Sequence, residues 1–176
     1  MPPIDRMDPE SYPWPKRYQF TTLDLRRSYR SYAAPNTSVN RATHSLYNSS
    51  SGDRVLVVRS YSYMGFTGAA TNPVAVINGP MGSHAGLESP VWADGPQPAG
   101  QHFYVDTATP ITPQFYLTNT PSSNLFNNIG TPLAVLPPNW SYVVQASASA
   151  TTMVISFCWE ELLMNDPALG AIGIHT

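Results

Sequence analysis

Proline is the residue that most limits the folds open to this chain. Eighteen prolines are spread along the 176 residues. They seldom leave a stretch long enough for a long helix, because proline lacks a backbone N–H and clashes with the preceding turn. No segment of useful length shows apolar residues at the helical spacing of i, i+3, i+4 and i+7. We therefore expect an all-β chain with little helix, its one short helical turn lying near residues 160–165.

Several segments have the composition and alternation of β-strands. The clearest is Arg54–Met64, whose first half is apolar on both faces, as in a sheet covered on both sides. In 151–160, alternate residues from Met153 to Trp159 fall on one apolar face, which we expect to lie in the core. We expect this strand to form a hairpin with 140–146. Further strands are predicted at 73–78, 101–106, 114–118 and 133–136.

These patterns divide the chain into three parts. Residues 1–40 form a predicted extended arm rich in Pro, Tyr and Arg, with five prolines among the first 17 residues. Residues 41–161 form a predicted antiparallel β-sandwich or jelly roll, its first body strand following a polar segment at 36–51. Residues 162–176 are an apolar tail with no strand length left to bury it, so we expect the tail to dock onto its own body or onto another subunit.

The chain carries unusually little charge. Charged residues make up 11% of it, against roughly 25% in an ordinary soluble domain. A polar but weakly charged surface forms neutral contacts at little desolvation cost, which suits packing against other proteins. Residues 1–42 carry seven basic and four acidic side chains and the remainder two and seven, so arm and body can attract each other. The basic excess is small, and we expect no nucleic-acid binding.

Membrane insertion and secretion are not predicted. The N-terminal residues MPPIDRMDPESYPWP contain no apolar stretch of the kind found in a signal peptide. No run approaches the roughly 18 apolar residues of a membrane span. The single cysteine, Cys158, excludes an internal disulfide and a cysteine-based zinc site.

Residues able to carry catalysis are present but not in catalytic patterns. No two of the four histidines have the spacing typical of metal ligands. Glu160 and Glu161 are adjacent in a predicted strand, so they point to opposite faces and make a poor acid/base pair. Cys158 is flanked by aromatic residues, which favours a buried, inert thiol. The glycine-containing segment 78–86 lacks the lysine of a phosphate loop. We predict a non-enzymatic protein with no catalytic residue, no metal and no cofactor.

The predicted contacts with other proteins lie in the arm and the tail. The arm interleaves arginine with tyrosine, residue types enriched at interfaces, and the tail is apolar. The candidate partner-binding residues are Tyr12, Trp14, Tyr18, Arg26, Arg27, Tyr29, Arg30, Tyr32, Leu169, Ile172 and Ile174.

The chain resembles the decoration, or cement, proteins and related accessory proteins of tailed-bacteriophage virions. The resemblance rests on the arm at 1–35, the strand Arg54–Met64 and the segment LAVLPPNWSYVVQASASATTMVISFCWEE at 133–161. It implies a jelly-roll body, often trimeric, that binds between major capsid subunits and stabilises the shell. The implied partners are the major capsid protein and copies of this chain as a homotrimer. The implied location is the capsid surface, after synthesis in the host cytoplasm.

Two other functions remain open from the sequence. One is a receptor- or glycan-binding head of a phage tail fibre, using Trp92 and the Gly- and Pro-rich loop at 79–100, whose length is typical of functional loops. The other is an enzyme on a jelly-roll scaffold, which would cluster histidines and acids at the mouth of the barrel.

Overall fold

The structure is a computed structural model, and almost all of its ordered secondary structure is β-strand. It describes residues 27–32, 36–37, 39–65, 71–85, 88–91, 95–111, 115–116, 125–127, 132–150, 152–167 and 169. The strands formed by these residues are β1 Ser28–Ser31, β2 Asn36–Thr37, β3 Arg41–Asn48, β4 Arg54–Gly65, β5 Thr71–Asn78, β6 Ser83–His84, β7 Glu88–Pro90, β8 Gly100–Thr107, β9 Phe115–Tyr116, β10 Leu125–Asn127, β11 Ala134–Leu136, β12 Trp140–Ala146 and β13 Thr152–Leu163.

The strands form two antiparallel sheets. Sheet A has the order β10-β4-β13-β1-β7, with β11 also paired to β4 and β2 to β13. Sheet B has the order β6-β8-β3-β12-β5-β9. The predicted all-β antiparallel sandwich is therefore confirmed.

The strand order within the sandwich is that of a jelly roll. Its core pairs β1-β13-β4-β10 in sheet A and β3-β12-β5-β9 in sheet B. Successive long strands alternate between the sheets, from β3 to β4 to β5 and again from β12 to β13, as in jelly-roll folds. The segment between β5 and β9 adds β6 and β8 beside β3, and β7 beside β1.

The core lies between the sheets and is rich in aromatic rings. Its inner layer includes the predicted face of β13 from Met153 to Trp159, which is confirmed. The rings of Tyr61, Tyr142 and Phe157 lie with centroids 6.1 to 6.4 Å apart. A second, smaller cluster of Val55, Val57, Leu162 and Leu169 covers the other face of β4. The two-sided burial predicted for the first half of β4 is thus also confirmed.

The predicted hairpin of 140–146 with 151–160 is wrong. β12 pairs with β3 and β5 in sheet B, whereas β13 pairs with β4, β1 and β2 in sheet A. The link at 147–150 crosses from one sheet to the other and ends at Ala150, which has a φ of 55°. Each strand has an apolar inner face, and two such faces bury each other by facing across the core.

Strand β3 lies in the polar segment at 36–51, where no strand was predicted. It is an interior strand of sheet B, paired with β8 and β12 along its length. Thr43, His44 and Ser45 are all fully buried. Buried polar groups need hydrogen-bond partners, and those of Thr43 and His44 come from residues on other strands.

The predicted helical turn at 160–165 is also wrong in its first part, because β13 continues to Leu163. A β-bulge at Arg59 of β4 shifts the register between Cys158 and Trp159, as bulges commonly do. Beyond it, Leu162 packs against Val55 in the second cluster, which keeps the chain extended. The turn comes later, where the N–H of Leu169 donates to the carbonyl of Asp166.

Two strands belong to residues 1–40, the predicted arm. β1 lies between β13 and β7, and β2 pairs with the start of β13. Within the described residues, sheet A therefore includes Ser28–Ser31 and Asn36–Thr37, which the prediction had assigned to the arm. At the other end, Leu162 and Leu169 of the predicted tail pack on β4.

A buried glutamine fixes the chain that leaves β8 across the outer face of sheet B. The amide oxygen of Gln145 on β12 accepts the N–H of Ile111 at 3.2 Å. Its Nε2 donates to Thr107 Oγ1 at 2.7 Å, to Thr43 Oγ1 at 3.2 Å and to the carbonyl of Thr109 at 3.3 Å. These bonds order residues 107–111 over β12, on the way from β8 to β9.

Candidate functional site

The first candidate site is strand β1, because it joins the predicted arm to the body. Tyr29 points inward, is 2% exposed and stacks on Trp159 with ring centroids 5.9 Å apart. Ser31 also points inward. Tyr29 was predicted to contact a partner, but the structure makes it part of the core, and its ring is not available to another chain.

Arg30 and Tyr32 point away from the core and are exposed, Tyr32 to 57%. They therefore remain predicted partner contacts. Other large apolar side chains are exposed near the two ends of sheet A, among them Val91 after β7, and Leu163 and Met164 at the end of β13. The N–H of Val91 donates to the carbonyl of Ser28 at 2.8 Å, so Val91 lies beside the start of β1.

The start of β1 is tied to the turn after β13. Arg27 forms a salt bridge with Asp166, whose carboxylate is largely buried. Leu169, three residues further along the turn, is buried against Val55 and Val57. Leu169 was predicted to contact a partner, but it docks onto its own body, which is one of the two places expected for the tail. Arg27 and Leu169, the described residues nearest the two ends of the chain, therefore lie in the same part of the sandwich.

Six of the predicted partner-binding residues lie outside the described part of the chain. These are Tyr12, Trp14, Tyr18, Arg26, Ile172 and Ile174. Trp92, on which the glycan-binding alternative depends, also lies outside it.

The two adjacent glutamates of β13 point to opposite sides of sheet A and bind different partners. Glu160 pairs with Arg59 at 2.7 Å. Glu161 Oε1 accepts the N–H groups of Ala99 and Gly100, at 2.6 and 3.0 Å, and its other oxygen pairs with Arg54 at 3.2 Å. The carboxylates are therefore engaged as structural acceptors, and Glu161 fastens the start of β8 to β13.

A chain of buried polar side chains connects the two sheets. Ser31 Oγ on β1 lies 2.9 Å from Nδ1 of His102 on β8. Nε2 of His102 lies 3.1 Å from Nδ1 of His44 on β3. Both imidazoles are fully buried and Ser31 is 1% exposed. This arrangement contains a hydroxyl and two imidazoles, but the burial of Ser31 keeps the hydroxyl away from any substrate in solution.

Burial also sets the protonation of the two histidines. It lowers the pKa of His44 from 6.5 to about 4, partly opposed by the backbone of Met153. Burial lowers the pKa of His102 well below 6.5, and the nearby His44 and His84 lower it further. Both imidazoles are therefore neutral at pH 7.

The one cysteine lies on the outer side of β13. Burial raises the pKa of the Cys158 thiol, while a hydrogen bond with Ser60 and the charge of Arg30 oppose this rise. Its thiol is thus predominantly protonated near neutral pH, which makes it a weak nucleophile.

The described residues contain neither a metal-binding cluster nor a membrane-spanning helix. In that part of the chain, no three His, Cys, Asp or Glu side chains lie close enough together to hold a metal ion. None of its helical segments is long and apolar enough to cross a membrane.

Sequence reasoning missed the Ser31–His102–His44 chain because it is assembled from three separate strands. The signal that could have located it is the alternation in β3, where Ala42, His44 and Leu46 share one face. A histidine between two apolar residues on that face indicates a buried imidazole in need of a partner.

Comparison of the chain with protein-family models, curated proteins and solved structures finds no match. The proposals below therefore rest on the residues, the fold and the resemblance described above.

Proposed function

We propose that this chain is a structural virion protein that binds between major capsid subunits and stabilises the shell. The observation that carries the proposal is that Arg27 and Leu169, the described residues nearest the two ends of the chain, lie in the same part of the sandwich, where the Arg27–Asp166 salt bridge joins them. We propose that segments 1–26 and 170–176 both extend from this part. A body that presents both segments from one place can reach two neighbouring subunits at once, and many such copies multiply modest contacts into strong binding.

The charged side chains of the body support a structural role. Arg54 and Arg59 pair with Glu161 and Glu160, and Arg41 donates to the backbone carbonyls of Ala146 and Ser147. Two of these arginines are paired with carboxylates and the third is bound by carbonyls, so little of their charge is free to contact a partner. A surface with little free charge packs against another protein without a large desolvation cost.

The proposed contact surface on the body is the outer side of β1, where Arg30 and Tyr32 are exposed. Arginine and tyrosine commonly dominate the binding energy of interfaces. We propose that the major capsid protein contacts these side chains, that the segment 1–26 adds further contact, and that the chain acts as a homotrimer on the capsid surface.

Particles made without this protein provide the test. Purified chain is added to them, and binding is measured by co-sedimentation for the wild type, for the Arg30→Ser/Tyr32→Ser double variant and for a variant lacking residues 1–26. We expect each change to weaken binding by about tenfold or more, since losing one good interface anchor costs at least about 1.4 kcal/mol.

The matched control is Val39→Ser, which removes another highly exposed apolar side chain outside β1 and should leave binding unchanged. The deletion stops at residue 26 because β1 starts at Ser28 and belongs to sheet A. Undiminished binding by both the double variant and the deletion variant would contradict the proposal.

A second candidate function is the glycan-binding head of a tail fibre. It is favoured by a row of rings on the outer side of sheet B, where Phe103 lies 5.3 Å from His84 and 5.8 Å from Tyr47 between ring centroids. Screening the chain on a glycan array tests this candidate. Binding that is lost in Phe103→Ser and retained in Tyr32→Ser would favour it over the capsid role.

A further inference from the structure

The Ser31–His102–His44 chain is the main polar connection between β1 and sheet B. Ser31 Oγ also accepts the N–H of Phe157 at 3.4 Å, and the Ser31 carbonyl accepts the hydroxyl of Ser156 at 2.6 Å. The C-terminal end of β1 is therefore held to β13 within its own sheet and to His102 across the core. The contact of β1 with sheet B through His102 depends on whether the two imidazoles are neutral or protonated.

Protonation changes the contact between His102 and His44. Each neutral imidazole has one N–H and one acceptor nitrogen, so the contact of 3.1 Å between His102 and His44 contains a single hydrogen. When both rings are protonated, both facing nitrogens carry a hydrogen, and the contact becomes repulsive. Among the described residues, Nε2 of His44 has no hydrogen-bond partner. The backbone of Met153 compensates only in part for a proton added to His44.

The surroundings offer little to stabilise a charge on these rings. Phe157 packs edge-on against His102 at 4.8 Å between centroids, and Tyr104 lies 6.3 Å from His44. Glu88 on β7 is the nearby carboxylate, and its Oε1 already accepts the backbone N–H of His102 and contacts His84 Nε2. The ionisable or charged side chains shown near the pair are His84 on β6, Glu88 on β7 and Tyr104 on β8.

We propose that Ser31, His102 and His44 form an acid-sensitive latch that releases the C-terminal end of β1 from sheet B when the imidazoles take up protons. Tyr29 stacks on Trp159 and remains a contact of β1 with β13, so the release is local to the end of β1 at first. The latch belongs to the fold of the single chain, and it does not depend on the proposed capsid role.

The pH window follows from the direction of the pKa shifts. Both histidines have a lower pKa in the folded chain than in the unfolded chain, so their contribution to stability is complete above about pH 6.5 and is lost as the pH falls. For His44 the pKa falls from 6.5 to about 4. This shift corresponds to a change of about 300-fold in the ratio of folded to unfolded chain across the window.

Amide hydrogen exchange of the full chain at about pH 7 and about pH 5 tests the latch, after correction for the intrinsic pH dependence of exchange. At the lower pH an unshifted histidine is almost fully protonated. In the wild type we expect the protection of the Tyr29–Ser31 amides to fall by about tenfold or more relative to β12. The reason is that His44 and His102 each bind a proton more readily once β1 has separated from sheet B. In His44→Asn, which keeps a partner for His102 but cannot be protonated, we expect a clearly smaller fall.

The comparison variant is His84→Asn, which removes the exposed histidine whose charge adds to the lowering of the His102 pKa. It should reduce the fall in protection less than His44→Asn does. If His44→Asn does not fold, the hydrogen exchange of the wild type and the NMR titration of its four histidine rings test the latch together. Two rings still neutral at about pH 5.5, with weakened β1 protection, support the latch. Unchanged β1 protection, or four rings titrating near pH 6.5, would overturn it.

Discussion

Tyr29 lies in β1 and Tyr32 directly follows it, yet the two side chains differ widely in exposure. Tyr29 is 2% exposed and stacked on Trp159, whereas Tyr32 is 57% exposed. The difference follows from the alternation of side chains in a strand and from the position of Tyr32 beyond its last paired residue. One tyrosine therefore supports the fold, and the other can support binding.

The Tyr29→Ala substitution should lower the free energy of unfolding by about 3 kcal/mol or more, because it removes a large buried ring and leaves a cavity. Tyr32→Ala is the matched control and should change stability by less than about 0.5 kcal/mol. Urea unfolding followed by tryptophan fluorescence measures both. Equal losses in the two variants would show that β1 is not an interior strand.

Glu161 accepts hydrogen bonds from several other parts of the chain. Besides Arg54 and two backbone N–H groups, it accepts the indole N–H of Trp159 at 3.2 Å. Its carboxylate is nearly inaccessible to solvent, so these donors have no water to replace it.

The Glu161→Ala substitution should therefore cost about 3–5 kcal/mol, the range found when one partner of a buried ion pair is removed. Glu161→Gln keeps an acceptor oxygen for Ala99 and Gly100 and should cost less. Thermal unfolding of both variants, with the exposed Asp53→Asn as the neutral control, measures the difference. A loss below about 1 kcal/mol for Glu161→Ala would contradict the structural role given to this carboxylate.

At the scale of elements, the long strands with apolar alternation could be predicted from the sequence. β12 has the predicted bounds of 140–146, and β4 differs from its prediction by one residue. Local alternation shows which face of a strand is buried, but it does not show which strand lies beside it. This is why β12 and β13, joined by a short link, were predicted as a hairpin although they lie in opposite sheets.

The strands with polar buried residues could not be predicted. In β3, the inward His44 and the outward Thr43 are both fully buried, and each depends on a partner far away in sequence. The candidate site has the same limitation. The arm and tail could be identified from composition, whereas the Ser31–His102–His44 chain depends on strand pairing that only the fold supplies.

Gln145 binds the chain segment that follows β8. Its bonds to residues 107–111 hold the chain that crosses sheet B. Gln145→Ala should lower the free energy of unfolding by about 2–3 kcal/mol, since it leaves buried donors and acceptors unpaired. Hydrogen exchange should show the Ile111 amide losing protection before the amides of β12 do. Loss of protection at both sites together would contradict a local role for this side chain.

For the whole molecule, the neutral buried histidines make stability depend on pH. Because their folded pKa values are depressed, the unfolded chain binds more protons below about pH 6.5. The free energy of unfolding should fall with decreasing pH between about 6.5 and 4, by up to about 1.4 kcal/mol per pH unit for each histidine. Urea titrations at a series of pH values measure the slope, and His44→Asn should reduce it.

The whole molecule combines a filled interior with paired charges on β4 and β13. The Arg27–Asp166 salt bridge also joins the start of β1 to the turn after β13. A rigid body of this kind suits repeated copies arranged on a regular shell.

Electron microscopy of virus particles made with and without this chain tests the proposed function most directly. We expect the particles that contain it to show additional jelly-roll-sized density between major capsid subunits, with extensions from the end of sheet A that carries Arg27 and Leu169 onto neighbouring subunits. Identical shells in both preparations, or additional density confined to the tail, would contradict the proposed role.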